Sequence, residues 1–140
     1  MIVIDTSAIV AIFLCEPEAA ALAAAIEADE EPIVSAASVL EASIVLRAKR
    51  ELAPEHADQW LDAFLAAGSV SVEAVTVDQL RLARAAHARF GRGSGHAAQL
   101  NFGDCFPYAL AQRRGASLLF KGEDFAQTDV GRLPETSPPR

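Results

Sequence analysis

Residues 1–18 read MIVIDTSAIVAIFLCEPE, and the aspartate inside this apolar run decides how the chain is organised. Ile2, Val3 and Ile4 are β-branched and form a run of the length of a buried strand. From Ala8 to Leu14 the sequence is mostly apolar again, which predicts a helix over about 6–14. Asp5 lies between the two. A carboxylate in such a place is costly unless something pairs with it. Asp5 therefore either caps the helix or binds a cation, and the rest of the sequence has to decide.

Working outward, Leu22 and Ile26 stand at helical spacing in a segment that breaks at Pro32. Ile33 and Val34 predict a second short strand. Ser35 or Ser38 can cap a helix running to about Lys49, and Ser38 with Glu41 has capping-box spacing. Pro54 opens a further helix with Trp60 and Phe64 on its expected buried face. A weakly alternating stretch, Val70 to Val77, has room for a strand. Asp78 then leads a helix through Leu82, Ala86 and Phe90. The glycine-rich loop GRGSGHAAQLNFG (91–103) precedes a helix over about 104–114 that ends at Gly115. Ser117 to Phe120 predicts the last strand. Short apolar strands alternating with helices indicate an α/β fold, with helices covering both faces of a mainly parallel sheet. One domain over 1–132 is expected, followed by a disordered, proline-rich tail over 133–140.

Composition narrows the function. The chain has 140 residues, 51% of them hydrophobic, and no apolar run long enough to span a bilayer. The first residues lack the basic flank of a signal peptide, so a cytoplasmic protein without membrane attachment is expected. Cys15 and Cys105 are far apart and outside any CxxC pattern, and are expected to be core residues rather than a disulfide or zinc site. The net charge of −7 argues against nonspecific nucleic-acid binding through total charge. Local basic clusters remain at Arg47, Lys49 and Arg50; at Arg81, Arg84, Arg89 and Arg92; and at Arg113, Arg114 and Lys121.

Four acids stand in unusual contexts: Asp5, Glu41 in SVLEASIVL, Asp104 in LNFGDCFPYALA, and Asp124 in LLFKGEDF. Glu41 has Ala37, Ile44, Val45 and Ala48 as helical neighbours, so it projects from an apolar face. Taken singly, Asp5 and Asp104 are ordinary helix caps, Glu41 a capping-box partner and Asp124 a turn residue. Taken together, a parallel sheet brings residues at its strands' carboxyl ends to one edge. Converging carboxylates repel one another, and a divalent cation removes the conflict. An all-oxygen donor set suits Mg²⁺ or Mn²⁺ rather than zinc, and Mg²⁺ usually takes only one or two carboxylates directly. Such an ion activates a bound water and stabilises charge on a phosphate.

At these residues the sequence resembles the PIN-domain family, and within it the VapC-type toxins of toxin–antitoxin pairs. The resemblance rests on IVIDTSAIVAIF, SAASVLEAS, LNFGDCFPYALA and LLFKGEDFAQTDV in that order, across nearly the whole chain. It implies a metal-dependent endoribonuclease acting on RNA, a homodimer, and a cognate VapB-type antitoxin. Asp5, Glu41 and Asp104 match the core acids, with Asp5 and Asp104 as metal ligands. Asp124 is chosen for the fourth position, and Ser7 matches a hydroxyl that supports the site. Pro107 departs from the pattern and would bend a helix that began near Asn101.

Other readings fare worse. A haloacid-dehalogenase phosphatase needs DxD, and Ser7 stands at the third position. A receiver domain needs its aspartate after a middle strand. GRGSG lacks GK[ST]. His56, His87 and His96 lie in polar or loop contexts, which disfavours a metal-free ribonuclease. A PIN-fold RNA- or protein-binding module without catalysis is the alternative of a different class.

Overall fold

The computed structural model describes residues 1–130; the expected tail over 133–140 lies outside them. In chain order the elements are β1 (Ile2–Ile4), α1 (Thr6–Phe13), α2 (Ala19–Ala28), β2 (Pro32–Ser35), α3 (Ala36–Arg50), α4 (Pro54–Ala67), β3 (Ser71–Glu73), α5 (Val77–Phe90), α6 (Cys105–Arg114) and β4 (Ser117–Leu119). The strands form one sheet in the order β3-β2-β1-β4, and every pairing is parallel.

The central strands β1 and β2 are buried throughout because both sheet faces are covered there, whereas the edge strand β3 is largely exposed. Alternation along β1 divides the core: Ile2 and Ile4 pack with Ile9, Leu22, Leu46 and Leu61 on one face. Val3 packs with Phe90, Leu110, Leu118 and Phe120 on the other. Helices α1 to α4 thus cover one face and α5 and α6 the other, the expected three-layer sandwich. Among the described residues no helix is long and apolar enough to cross a membrane.

Local chemistry sets the ends of the elements. Ser35 Oγ accepts from Ala37 N–H at 3.2 Å and caps α3, whose last turn carries Arg47, Lys49 and Arg50 against the helix dipole. Ser38 is therefore inside the helix and buried, and the capping-box role considered for Glu41 falls away. Thr76, not Asp78, caps α5 through Gln79 N–H. Gly115 closes α6 at φ 62°, where a side chain would be strained.

Three expectations about burial need correction. Cys105 is buried, but Cys15 is exposed at the end of α1. On α4 the buried line is Ala57 and Leu61, while Trp60 and Phe64 stand at its margin, stacked on each other at 5.3 Å. On α3 the buried line is Ser38, Ala42, Ser43 and Leu46, whereas Ile44 is 51% exposed. Glu41 lies at the half-buried margin of that helix, not on a buried apolar face.

Candidate active site

β1 ends at the switch point of the sheet, between β2 and β4, where α/β proteins bind ligands. Asp5 follows immediately. Its backbone N–H donates to Leu119 O at 2.9 Å, which joins the carboxyl ends of β1 and β4. Its carboxylate is buried, and Oδ2 accepts from Ser7 N–H at 3.0 Å. Asp5 is therefore the N-cap of α1. The cap accounts for one oxygen's contact, but burial still pushes the carboxyl up to about 6, against hydrogen bonds from Ser7 that favour the charged form and with repulsion from Glu41 added.

Ser7 has a second contact. Its Oγ accepts from Lys121 N–H at 2.9 Å, so the loop after β4 is tied to the start of α1. The Lys121 ammonium pairs with Glu16 and Glu18. Thr6 Oγ1 donates to Ser38 O at 3.1 Å and fixes α1 against α3, the helix that carries Glu41.

Asp104 is held differently from a helix cap. No hydrogen bond runs from its side chain to α6, and Pro107 in the first turn removes one of the two N–H groups such a cap could use. Instead Asp104 N–H donates to Asn101 Oδ1 at 2.9 Å, and Asn101 N–H donates to Asp104 Oδ2 at 3.0 Å. This reciprocal pair has the form of a capping box set one turn before the helix. Pro107 sits where the missing N–H costs nothing, since the first helical turn has no intrahelical acceptor for it.

Burial pushes the Asp104 carboxyl up to about 7, opposed by the Asn101 backbone and reinforced by the charges of Asp5, Asp124 and Glu41. Four acids from four separate segments therefore act on one another. The Glu41 carboxylate lies against the backbone of Gly103, next to Asp104. Asp124 is exposed, on a loop anchored by buried Phe125 against Phe120. Among the described residues no three His, Cys, Asp or Glu side chains approach closely enough to ligate one ion together. The neighbouring Cys105 thiol is pushed up to about 11 by burial and by Asp104, so it stays protonated and is no nucleophile at neutral pH. His56 and His87 are exposed, and His96 Nδ1 accepts from Ala98 N–H within its own loop.

Sequence reasoning missed Asn101 and Gly103. The spacing of Asn101 and Asp104 was the available signal, but a helix starting at 104 hid it. The basic clusters are partly neutralised: Arg81 and Arg113 pair with Asp78, Arg114 with Glu73 and Arg89 with Asp129. Arg47, Lys49, Arg50, Arg84 and Arg92 have no ion pair among the described residues.

This arrangement is that of a known family. The PIN domain matches residues 2–131. The chain is 51% identical over 130 residues to Ribonuclease VapC28 of Mycobacterium tuberculosis, covering 93% of this chain and 96% of that protein. It is 47% identical over 131 residues to Ribonuclease VapC of Mycolicibacterium smegmatis, covering 94% and 98%. The chain belongs to the PIN-domain family, and within it to the VapC ribonuclease toxins of toxin–antitoxin systems. Its fold is shared with Mycobacterium tuberculosis VapC20, a sarcin–ricin loop cleaving toxin (TM-score 0.75, 18% identity, 95% of this chain and 98% of that one). A toxin–antitoxin complex from Klebsiella pneumoniae is also similar (TM-score 0.68, 20% identity, 96% and 98%).

Proposed function

We propose that the chain is an endoribonuclease that hydrolyses RNA phosphodiester bonds with Mg²⁺, for which Mn²⁺ can substitute. The observation that carries this is the Glu41 carboxylate lying against Gly103 beside buried Asp104, with Asp5 and Asp104 both pushed up by burial and further by neighbouring carboxylates. Buried acids that repel one another gain most from a hard divalent cation. The donor set fits, being carboxylate oxygens without histidine.

Asp5 and Asp104 would hold the ion. Glu41 would orient the attacking water and accept its proton, Asp124 would act from the exposed rim, and Ser7 would keep Asp5 in place. When bound, the ion supplies an activated water and neutralises charge on the phosphate. The protein's own part is to fix the carboxylates before substrate arrives.

Partner control by a VapB-type antitoxin is part of this reading. A groove of about 310 Å³ runs along α2 and α4, lined by Ile12, Ala23, Ile26, Phe64 and Ala67. It suits the apolar face of a partner helix. A guanidinium from the same partner would compete with the metal for Asp5, Glu41 and Asp104. For a homodimer, a second apolar groove of about 470 Å³ lies between α5 and residues 102–106, beside Phe102, which is 78% exposed.

The test is cleavage of RNA by the purified protein. Activity should require Mg²⁺ or Mn²⁺, stop with EDTA, and survive replacement of His56 and His87 together. Persistence in excess EDTA would overturn the metal reading. RNA binding without cleavage under any divalent ion would favour the non-catalytic binding module.

A further inference from the structure

We infer that Gly103 is a positioning residue for Glu41: the missing side chain at 103 lets the Glu41 carboxylate reach the neighbourhood of Asp104. The inference rests on the acid assignment above. A Cβ built on Gly103 would overlap Glu41 Oε2, and would stand 2.7 Å from Cδ and 3.0 Å from Oε1. Such separations are too short for carbon against a carboxylate.

The need for glycine here is one of space. Gly93, Gly95, Gly115 and Gly122 have positive φ, but Gly103 does not. Alanine at 103 is thus free of backbone strain, and the three atoms nearest its Cβ all belong to Glu41.

Which side would yield follows from how each is held. The loop is pinned by the two Asn101–Asp104 hydrogen bonds, which flank Gly103 and would both have to give. Glu41 is half-buried at the edge of α3, and its carboxylate sits at the end of a side chain with three rotatable bonds. The carboxylate moves and the loop stays. A methyl at 103 therefore separates Glu41 from Asp104 while sparing the core. Misplacing a reacting group by about 1 Å costs on the order of a hundredfold in rate.

The experiment is a double-substitution cycle of Gly103→Ala with Glu41→Asp. Three quantities are read: RNA cleavage, Mn²⁺ binding to the RNA-free protein by calorimetry, and the thermal midpoint. Gly103→Ala alone should lower cleavage roughly ten- to a hundredfold, mainly in kcat, and weaken Mn²⁺ binding. In the Glu41→Asp background, whose carboxylate is one methylene shorter, it should cost less than about twofold more. Should Gly103→Ala prove unstable, the double variant should recover the midpoint, because the shorter acid leaves room for the methyl. Parent-like cleavage and Mn²⁺ binding by Gly103→Ala overturn the inference, as does an equal loss in both backgrounds or a double variant that stays unstable. Glu41→Ala separates the two levels. Full activity in that variant overturns the acid assignment and this inference with it. An impaired Glu41→Ala beside an active Gly103→Ala overturns this inference alone.

Discussion

Asn101 and Asp104 hold each other through both backbone N–H groups, at 3.0 and 2.9 Å, so Asp104 is fixed by a residue outside its own helix. Asn101→Ala removes the acceptor for Asp104 N–H and loosens the turn. The expected cost is about 1 kcal/mol of stability, as for other lost caps. Cleavage should fall further than that loss explains, because Asp104 is freed to move. Comparing the thermal midpoint with the cleavage rate at a temperature where the variant is fully folded checks this.

Asp5 has a structural role as the cap of α1 and a proposed role as a ligand, and two substitutions separate them. Asn is as good an N-cap as Asp, so Asp5→Asn should abolish cleavage yet leave the metal-free fold at least as stable as the parent. Asp5→Ala should abolish cleavage and cost about 1 kcal/mol as well. Melting curves in EDTA alongside cleavage assays distinguish these outcomes. Asp104→Asn should behave as Asp5→Asn does in activity.

The metal-free protein should lose stability as pH rises. Asp5 and Asp104 ordinarily titrate at 3.8 but are raised to about 6 and about 7 in the fold. The folded state therefore binds more protons than the unfolded state between these values. Its advantage is complete below the ordinary value and is lost as pH climbs through the folded ones. Thermal midpoints in EDTA should decline from about pH 4 to pH 7 through this effect. The slope should flatten when both residues are asparagine. Added Mg²⁺ should raise the midpoint most at the alkaline end of the range.

Asp124 is the exposed member of the cluster, so its charge is screened by solvent. Asp124→Asn should reduce cleavage by roughly tenfold, corresponding to about 1.4 kcal/mol, against near-complete loss for Asp104→Asn. Side-by-side initial rates at saturating Mg²⁺ decide it. Equal losses would mean that Asp124 acts within the buried part of the site.

The two buried acids were legible because each interrupts an apolar run, and a carboxylate there needs a reason. The parallel sheet was legible from β-branched runs alternating with helices. Glu41 was reached for a partly mistaken reason. Its helical neighbour Ile44 proved exposed, since the groups packed against a helix, not its own composition, determine which face is buried. The pairing of Arg114 with Glu73 and of Arg89 with Asp129 joins residues 41 and 40 positions apart, which no local pattern encodes. Cys15 was expected in the core, and its exposure follows from its place just past the last turn of α1.

The pairing of β1 with β4 also orders events in time. Ile2 lies opposite Ser117, and Ile4 opposite Leu119. During translation the first strand emerges long before its partner. Asp5 is therefore made well before the strand whose Leu119 carbonyl its N–H binds and before the loop carrying Asp124. Such distant pairings form late in folding, because a long chain must first be closed on itself. The nascent chain thus carries Asp5 and Asp124 apart, and they meet only once the loop after β4 has been made.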